Sequence, residues 1–185
     1  MQIRISEELY TILRYARDEA MRTGCYAISA DHLILGLLRH GENTACLLLK
    51  ELGVSLPELK RYVDSRLFAD SSVPWSAGDQ ICVGRSAQNV INLSAFEALK
   101  AGSGEVQSLH LLLALSRAAG TASAGFLEEK GAGTKEMIAK LESHGWRRSD
   151  TVQTPAPEEV EKSIESQIRS LVLITPSTSG GRIPS

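Results

Sequence analysis

The sequence predicts an all-α fold built from two copies of a four-helix repeat. Three observations carry this: the chain matches itself at an offset of 78 residues, its apolar residues recur at helical spacing, and no stretch within the repeats alternates apolar with polar residues. The offset places EAMRTGCYAISADHLILGLL (Glu19–Leu38) over EALKAGSGEVQSLHLLLALS (Glu97–Ser116). The pairs Glu19/Glu97, Ala20/Ala98, Gly24/Gly102, His32/His110, Leu33/Leu111, Leu35/Leu113 and Leu37/Leu115 are identical without a gap. Without sustained alternation, no sheet is expected in the repeats.

The first helix of the first copy is set by Leu9, Ile12, Leu13, Ala16 and Ala20, an i, i+3, i+4 stripe. Gly24 closes it, since glycine enters the left-handed conformation without a Cβ clash. Ser29 to Asp31 supply capping and dipole-favouring groups for a second helix, His32 to His40, which is apolar nearly all round and should be the buried centre of its copy. Thr44 to Leu52 makes the third helix and Gly53 ends it. Ser55, Pro57 and Glu58 start the fourth, with Leu56, Leu59, Tyr62, Val63 and Leu67 on its buried face. The second copy repeats the scheme at Ala87–Ala101, Ser108–Ala118, Ser123–Lys130 and Thr134–Ser143.

The repeats occupy about residues 1–70 and 84–146, and SSVPWSAGDQICVG (Ser71–Gly84) between them has the composition of a surface connection. Residues 147–185 read as a linker, an amphipathic helix over 158–175 and a low-complexity tail that closes the chain. In that helix Val160, Ile164, Ile168, Leu171 and Val172 share one face, which suits packing on its own domain or, as the second reading, docking to a partner.

Composition excludes several classes of function. A net charge of −2 and a pI of 6.1 argue against nucleic-acid binding. No apolar run is long enough for a membrane span, and the amphipathic N-terminus is not a signal peptide. Cys25, Cys46 and Cys82 are dispersed and read as reduced, core-filling thiols in a cytoplasmic protein. GDQICVGRS (Gly78–Ser86) and GAGTK (Gly131–Lys135) both fail the G-x-x-x-x-G-K-[ST] pattern that wraps phosphates, so no nucleotide cofactor is expected. Cys25 lies seven residues before His32, but Ser103 replaces it in the second copy and no orienting third group is evident. Glu19 and Glu97 are separated single carboxylates that suit capping, salt-bridging or solvent exposure better than acid–base chemistry. No zinc-ligand spacing occurs. The expected protein is not an enzyme and carries no metal or catalytic residue.

The paired signatures ADHLILGLL (Ala30–Leu38) and SLHLLLALS (Ser108–Ser116), with ELGVSLPEL (Glu51–Leu59), resemble the N-terminal domain of Clp AAA+ unfoldases such as ClpA and ClpC. The resemblance covers roughly residues 1–146 and implies a pseudo-twofold bundle of eight helices. It implies a protein-binding role: recognising substrates or adaptors for a Clp unfoldase–protease system, or docking onto one as accessory subunits of plastids do. A Clp ATPase, a Clp protease subunit, or an adaptor or substrate polypeptide would be the partner, and the module would be a monomer. In ClpC-type relatives the Glu before the signature His helps hold the guanidinium of phosphorylated arginine. The matching positions here are Asp31, one methylene shorter, and Leu109, which cannot pair with a cation. That departure keeps open an alternative, a scaffold or small-ligand sensor outside the Clp system.

Gly24, His32, Gly102 and His110 are read as the structural signature of the repeat. Each histidine opens a helix, where its imidazole can bond to a neighbouring loop. Candidate partner-binding residues follow the first helix and the loop before the second in each copy: Glu7, Arg14, Tyr26, Asp31, Glu105 and Leu109. The seam between the copies is the expected groove.

Overall fold

The computed structural model describes residues 2–67, 72–149 and 155–180, with nine α-helices among them. The first repeat holds α1 (Glu7–Arg22), α2 (Ala30–His40), α3 (Thr44–Glu51) and α4 (Leu56–Leu67). The second holds α5 (Arg85–Lys100), α6 (Ser108–Ser116), α7 (Ala122–Glu129) and α8 (Thr134–Ser143), and α9 (Pro157–Gly180) follows. Each helix of the first repeat starts 78 residues before its counterpart in the second.

Helices α2 and α6 form the centre of the core, with Leu33, Ile34, Leu35, Leu37 and Leu111 to Leu115 all fully buried. The stripe Leu9, Ile12, Leu13, Ala16, Ala20 of α1 packs on them. Caps follow from residue type. The Ser6 hydroxyl accepts the Leu9 N–H, and Asn43 and Thr121 do the same for Cys46 and Ala124. Gly24 and Gly102 end α1 and α5 at φ values of 80° and 72°. There Cys25 and Ser103 reach back to the Ala20 and Ala98 carbonyls, the six-to-one bond of a Schellman turn.

The expectation of no sheet is corrected. β1 (Arg4–Ile5) runs parallel to β4 (Glu105–Val106), and β2 (Ala27–Ile28) parallel to β3 (Cys82–Val83). Each segment entering the first helix of one repeat thus pairs with the segment entering the second helix of the other. Arg4 and Ser6 donate to the Gly104 and Val106 carbonyls, while Cys82 and Gly84 donate to those of Tyr26 and Ile28. Strands of two residues are too short to leave an alternating pattern.

The connection between the repeats is also more than surface. It contains a 3-10 turn (Trp75–Gln80) and β3, and it sends Val73, Ala77 and Ile81 into the core. After Trp146 the chain stays close: Arg148 pairs with Glu97, and the Ser149 N–H bonds to the Lys100 carbonyl. Helix α9 starts one residue before the expected segment and continues past Pro176 to Gly180. Val160, Ile164 and Ile168 are buried against the domain. The last residues of the expected tail, 181–185, lie outside the described residues.

Candidate functional site

A groove of about 640 Å³ opens at the seam between the repeats. Tyr62 and Arg66 line one side from α4, while Ser116, Arg117 and the turn carrying Gly120 line the other. Tyr62 and Arg66 share a face because they stand one helical turn apart. The Arg66 guanidinium lies 3.9 Å from the centroid of the Tyr62 ring, and that ring packs on Phe126 at 5.1 Å. Arg117 bonds to the buried Glu97 at 3.1 Å. The result is an aromatic platform with a guanidinium above it, open to solvent, and suited to a side chain or backbone of a polypeptide.

Asp31 sits at the inner end of this groove, where its carboxylate is already engaged. Its two oxygens accept the N–H groups of Ala122 and Ser123 at 3.1 and 2.9 Å. Together with Thr121 they satisfy the first three amides of α7, so an acid in one repeat caps a helix in the other. Leu109, its counterpart, packs against the core. Asp31→Ala is expected to cost about 1–2 kcal/mol of stability. Faster hydrogen exchange at the Ala122 and Ser123 amides would accompany the lowered urea midpoint.

The other sequence candidates do not converge on the groove. Glu7 and Arg14 are exposed on α1, and Tyr26 is 50% exposed beside β2. Glu105 forms an ion pair with Arg4 at 2.7 Å, reinforcing the β1–β4 pairing between repeats. Tyr62, Arg66 and Arg117 were missed. The sequence places Tyr62 on the buried face of α4, and the i, i+4 aromatic–arginine pair is the signal for the groove.

His32 and His110 are buried at the third position of α2 and α6. The Ser29 N–H donates to His32 Nδ1 at 2.9 Å, and the Gln107 N–H donates to His110 Nδ1 at 3.0 Å. With Nδ1 accepting, the ring proton sits on Nε2, where His32 meets the Thr23 hydroxyl at 2.9 Å. Ala101 stands at the equivalent place in the second repeat and offers no hydroxyl.

Cys46 is buried, and burial pushes its thiol pKa up; Cys25 is half-buried beside Thr23. Cys82 is exposed on β3, which corrects its core-filling assignment: side chains alternate on a strand, and its neighbour Ile81 takes the inner place. Glu19 pairs with Arg22, which also reaches Asp64 at 2.6 Å. Among the described residues no three His, Cys, Asp or Glu side chains gather as metal ligands. Nor is any helix there long and apolar enough to cross a membrane.

Residues 4–130 match the family model described as the Clp repeat (R) N-terminal domain. The chain belongs to the Clp repeat family. It is 33% identical over 114 residues to the negative regulator of genetic competence ClpC/MecB of Bacillus subtilis, covering 62% of this chain and 14% of that protein. It is 30% identical over 134 residues to the chloroplastic chaperone protein ClpC1 of Arabidopsis thaliana, covering 70% of this chain and 14% of that protein. The chain thus spans about 14% of the length of these relatives, the part that is the N-terminal domain. A solved structure described as part of a malarial protein secretion system superposes with a TM-score of 0.61 at 20% identity, covering 76% of this chain and 94% of that one, which shows the shared fold. The Clp repeat domain is a protein-binding, non-catalytic module of Clp ATPases.

Proposed function

We propose that this Clp repeat domain recognises substrates or adaptors for a Clp unfoldase–protease system, or docks onto one, through the groove between α4 and the α6–α7 turn. The observation that carries the reading is the half-buried Tyr62 ring under the exposed Arg66 guanidinium, both lining the groove at the seam. The groove is open, whereas small-molecule sites enclose most of their ligand, so its shape favours a polypeptide over the sensor alternative. The partners would be a Clp ATPase, a Clp protease subunit, an adaptor or a substrate chain, met by a monomeric domain in the cytoplasm.

The test is direct binding of the purified chain to Clp ATPase, protease subunit and adaptor, repeated with Arg66→Glu. Reversing this exposed charge is expected to weaken the productive interaction about tenfold or more while leaving the thermal midpoint unchanged. Failure to bind any Clp component would sink the proposal. Equal binding by the variant would move the site away from the groove.

A further inference from the structure

One backbone edge in this domain is occupied and its symmetry mate is open. In β1, Arg4 and Ser6 bond to β4, so the Ile5 N–H and Ile3 carbonyl face the opposite side. Both are taken by a single carboxamide from α9. The Ile5 N–H donates to Gln167 Oε1 at 2.9 Å, and Gln167 Nε2 donates to the Ile3 carbonyl at 3.1 Å. Gln167 thus stands in for the N–H and C=O of one residue of an added parallel strand.

The repeat offset maps Ile3 and Ile5 onto Ile81 and Val83. In β3, Cys82 and Gly84 bond to β2, which turns the Val83 N–H and Ile81 carbonyl outward in the same way. Among the described residues nothing bonds to either group. A cavity of about 410 Å³ lies against them, lined by Ile81, Cys82 and Val83 on the strand and by Glu165, Ile168 and Arg169 on α9. An exposed strand edge with its donor and acceptor unpaired is a template for another chain.

We propose that the outer edge of β3 binds an extended polypeptide segment by parallel backbone pairing, with the C=O and N–H of one ligand residue bridging Val83 N–H and Ile81 C=O as the Gln167 carboxamide bridges their counterparts in β1. The ligand class is an unfolded or extended chain recognised by its amides, because the groups it meets are main-chain and therefore indifferent to side-chain identity. The flanking Glu165 and Arg169 leave room for weak preference among charged side chains. This site is separate from the Arg66 groove, and it stands whether or not that groove engages Clp components.

The experiment uses the full isotope-labelled chain and a short soluble peptide of alternating Thr, Val and Gln. In the free chain the Ile5 amide is expected to exchange with solvent more slowly than the Val83 amide. At saturating peptide, Val83 exchange should slow about tenfold or more while Ile5 and the resonances of Tyr62 and Arg66 stay unmoved. A fully N-methylated counterpart, which cannot donate, should lose most of the binding without any change to the protein. The proposal is overturned if Val83 is as protected as Ile5 in the free chain, or if the peptide leaves Val83 exchange unchanged. Equal binding of the N-methylated peptide would overturn it too, since capture would then run through side chains.

Discussion

Gly36→Ala is expected to destabilise the domain by about 3 kcal/mol, lowering its thermal midpoint by roughly 10 °C. Gly36 lies in α2 where that helix crosses α1 at backbone contact. A Cβ there would stand 2.6 Å from the Ile12 carbonyl oxygen and 2.7 Å from the Ala16 nitrogen. Both are main-chain atoms of a regular helix, so no side chain can rotate away, and the helices must separate along their whole interface. The dispersion contacts of Leu33, Leu37, Ile12 and Ala16 would weaken together. The second repeat supplies the control, because Ala114 occupies the equivalent position and is fully buried. Ala114→Gly removes one methyl and loosens a helix interior, which costs about 1 kcal/mol. The same exchange in opposite directions therefore gives a large and a small loss. Urea titrations of the two variants measure the difference, and a Gly36→Ala loss within about 0.5 kcal/mol of zero would contradict the close crossing.

The fold was legible in the sequence wherever a local pattern repeats. The leucines of α2 and α6, the glycines after α1 and α5 and the paired histidines all recur at one offset, so the helices of the two repeats could be placed to within about two residues, whereas α9, which has no counterpart, runs five residues past its expected end. What escaped depends on residues far apart in the chain. The β1–β4 and β2–β3 bridges are two residues long and join different repeats, so neither periodicity nor turn chemistry marks them. Asp31 caps a helix that begins 91 residues later, a partnership that no local window contains. As a candidate partner-binding residue it borders the groove, and its carboxylate also joins one repeat to the other. Likewise Arg66 and Arg117 belong to different repeats, and only the closed seam brings them to one groove. Gln167 was unremarkable as a residue in an amphipathic helix, yet it completes the edge of β1. The candidate site was thus legible as a seam, while its side chains were set by the docking of one repeat on the other.

The paired histidines make the domain acid-sensitive in a defined window. Burial pushes the pKa of both down to about 4; for His32 the neighbouring Asp31 opposes the shift and Arg22 adds to it. In the unfolded chain each returns to about 6.5. The folded state therefore binds fewer protons than the unfolded state between these values, and stability falls as pH drops through that window. Above about pH 7 both rings are neutral in either state and the contribution is fully present. Between pH 7.5 and pH 5 each histidine is expected to cost roughly 2 kcal/mol, so the pair accounts for roughly 4 kcal/mol. Structure explains why neutrality matters: a protonated ring would carry a hydrogen on Nδ1, facing the Ser29 or Gln107 N–H that now donates to it. His32→Gln with His110→Gln provides the test, because Gln at the third helical position can accept that same N–H and does not titrate. The double variant should fold at neutral pH and lose most of this acid dependence in urea midpoints measured from pH 7.5 to pH 5. Retention of the wild-type slope would assign the acid sensitivity to carboxylates elsewhere and leave the histidines as packing groups alone.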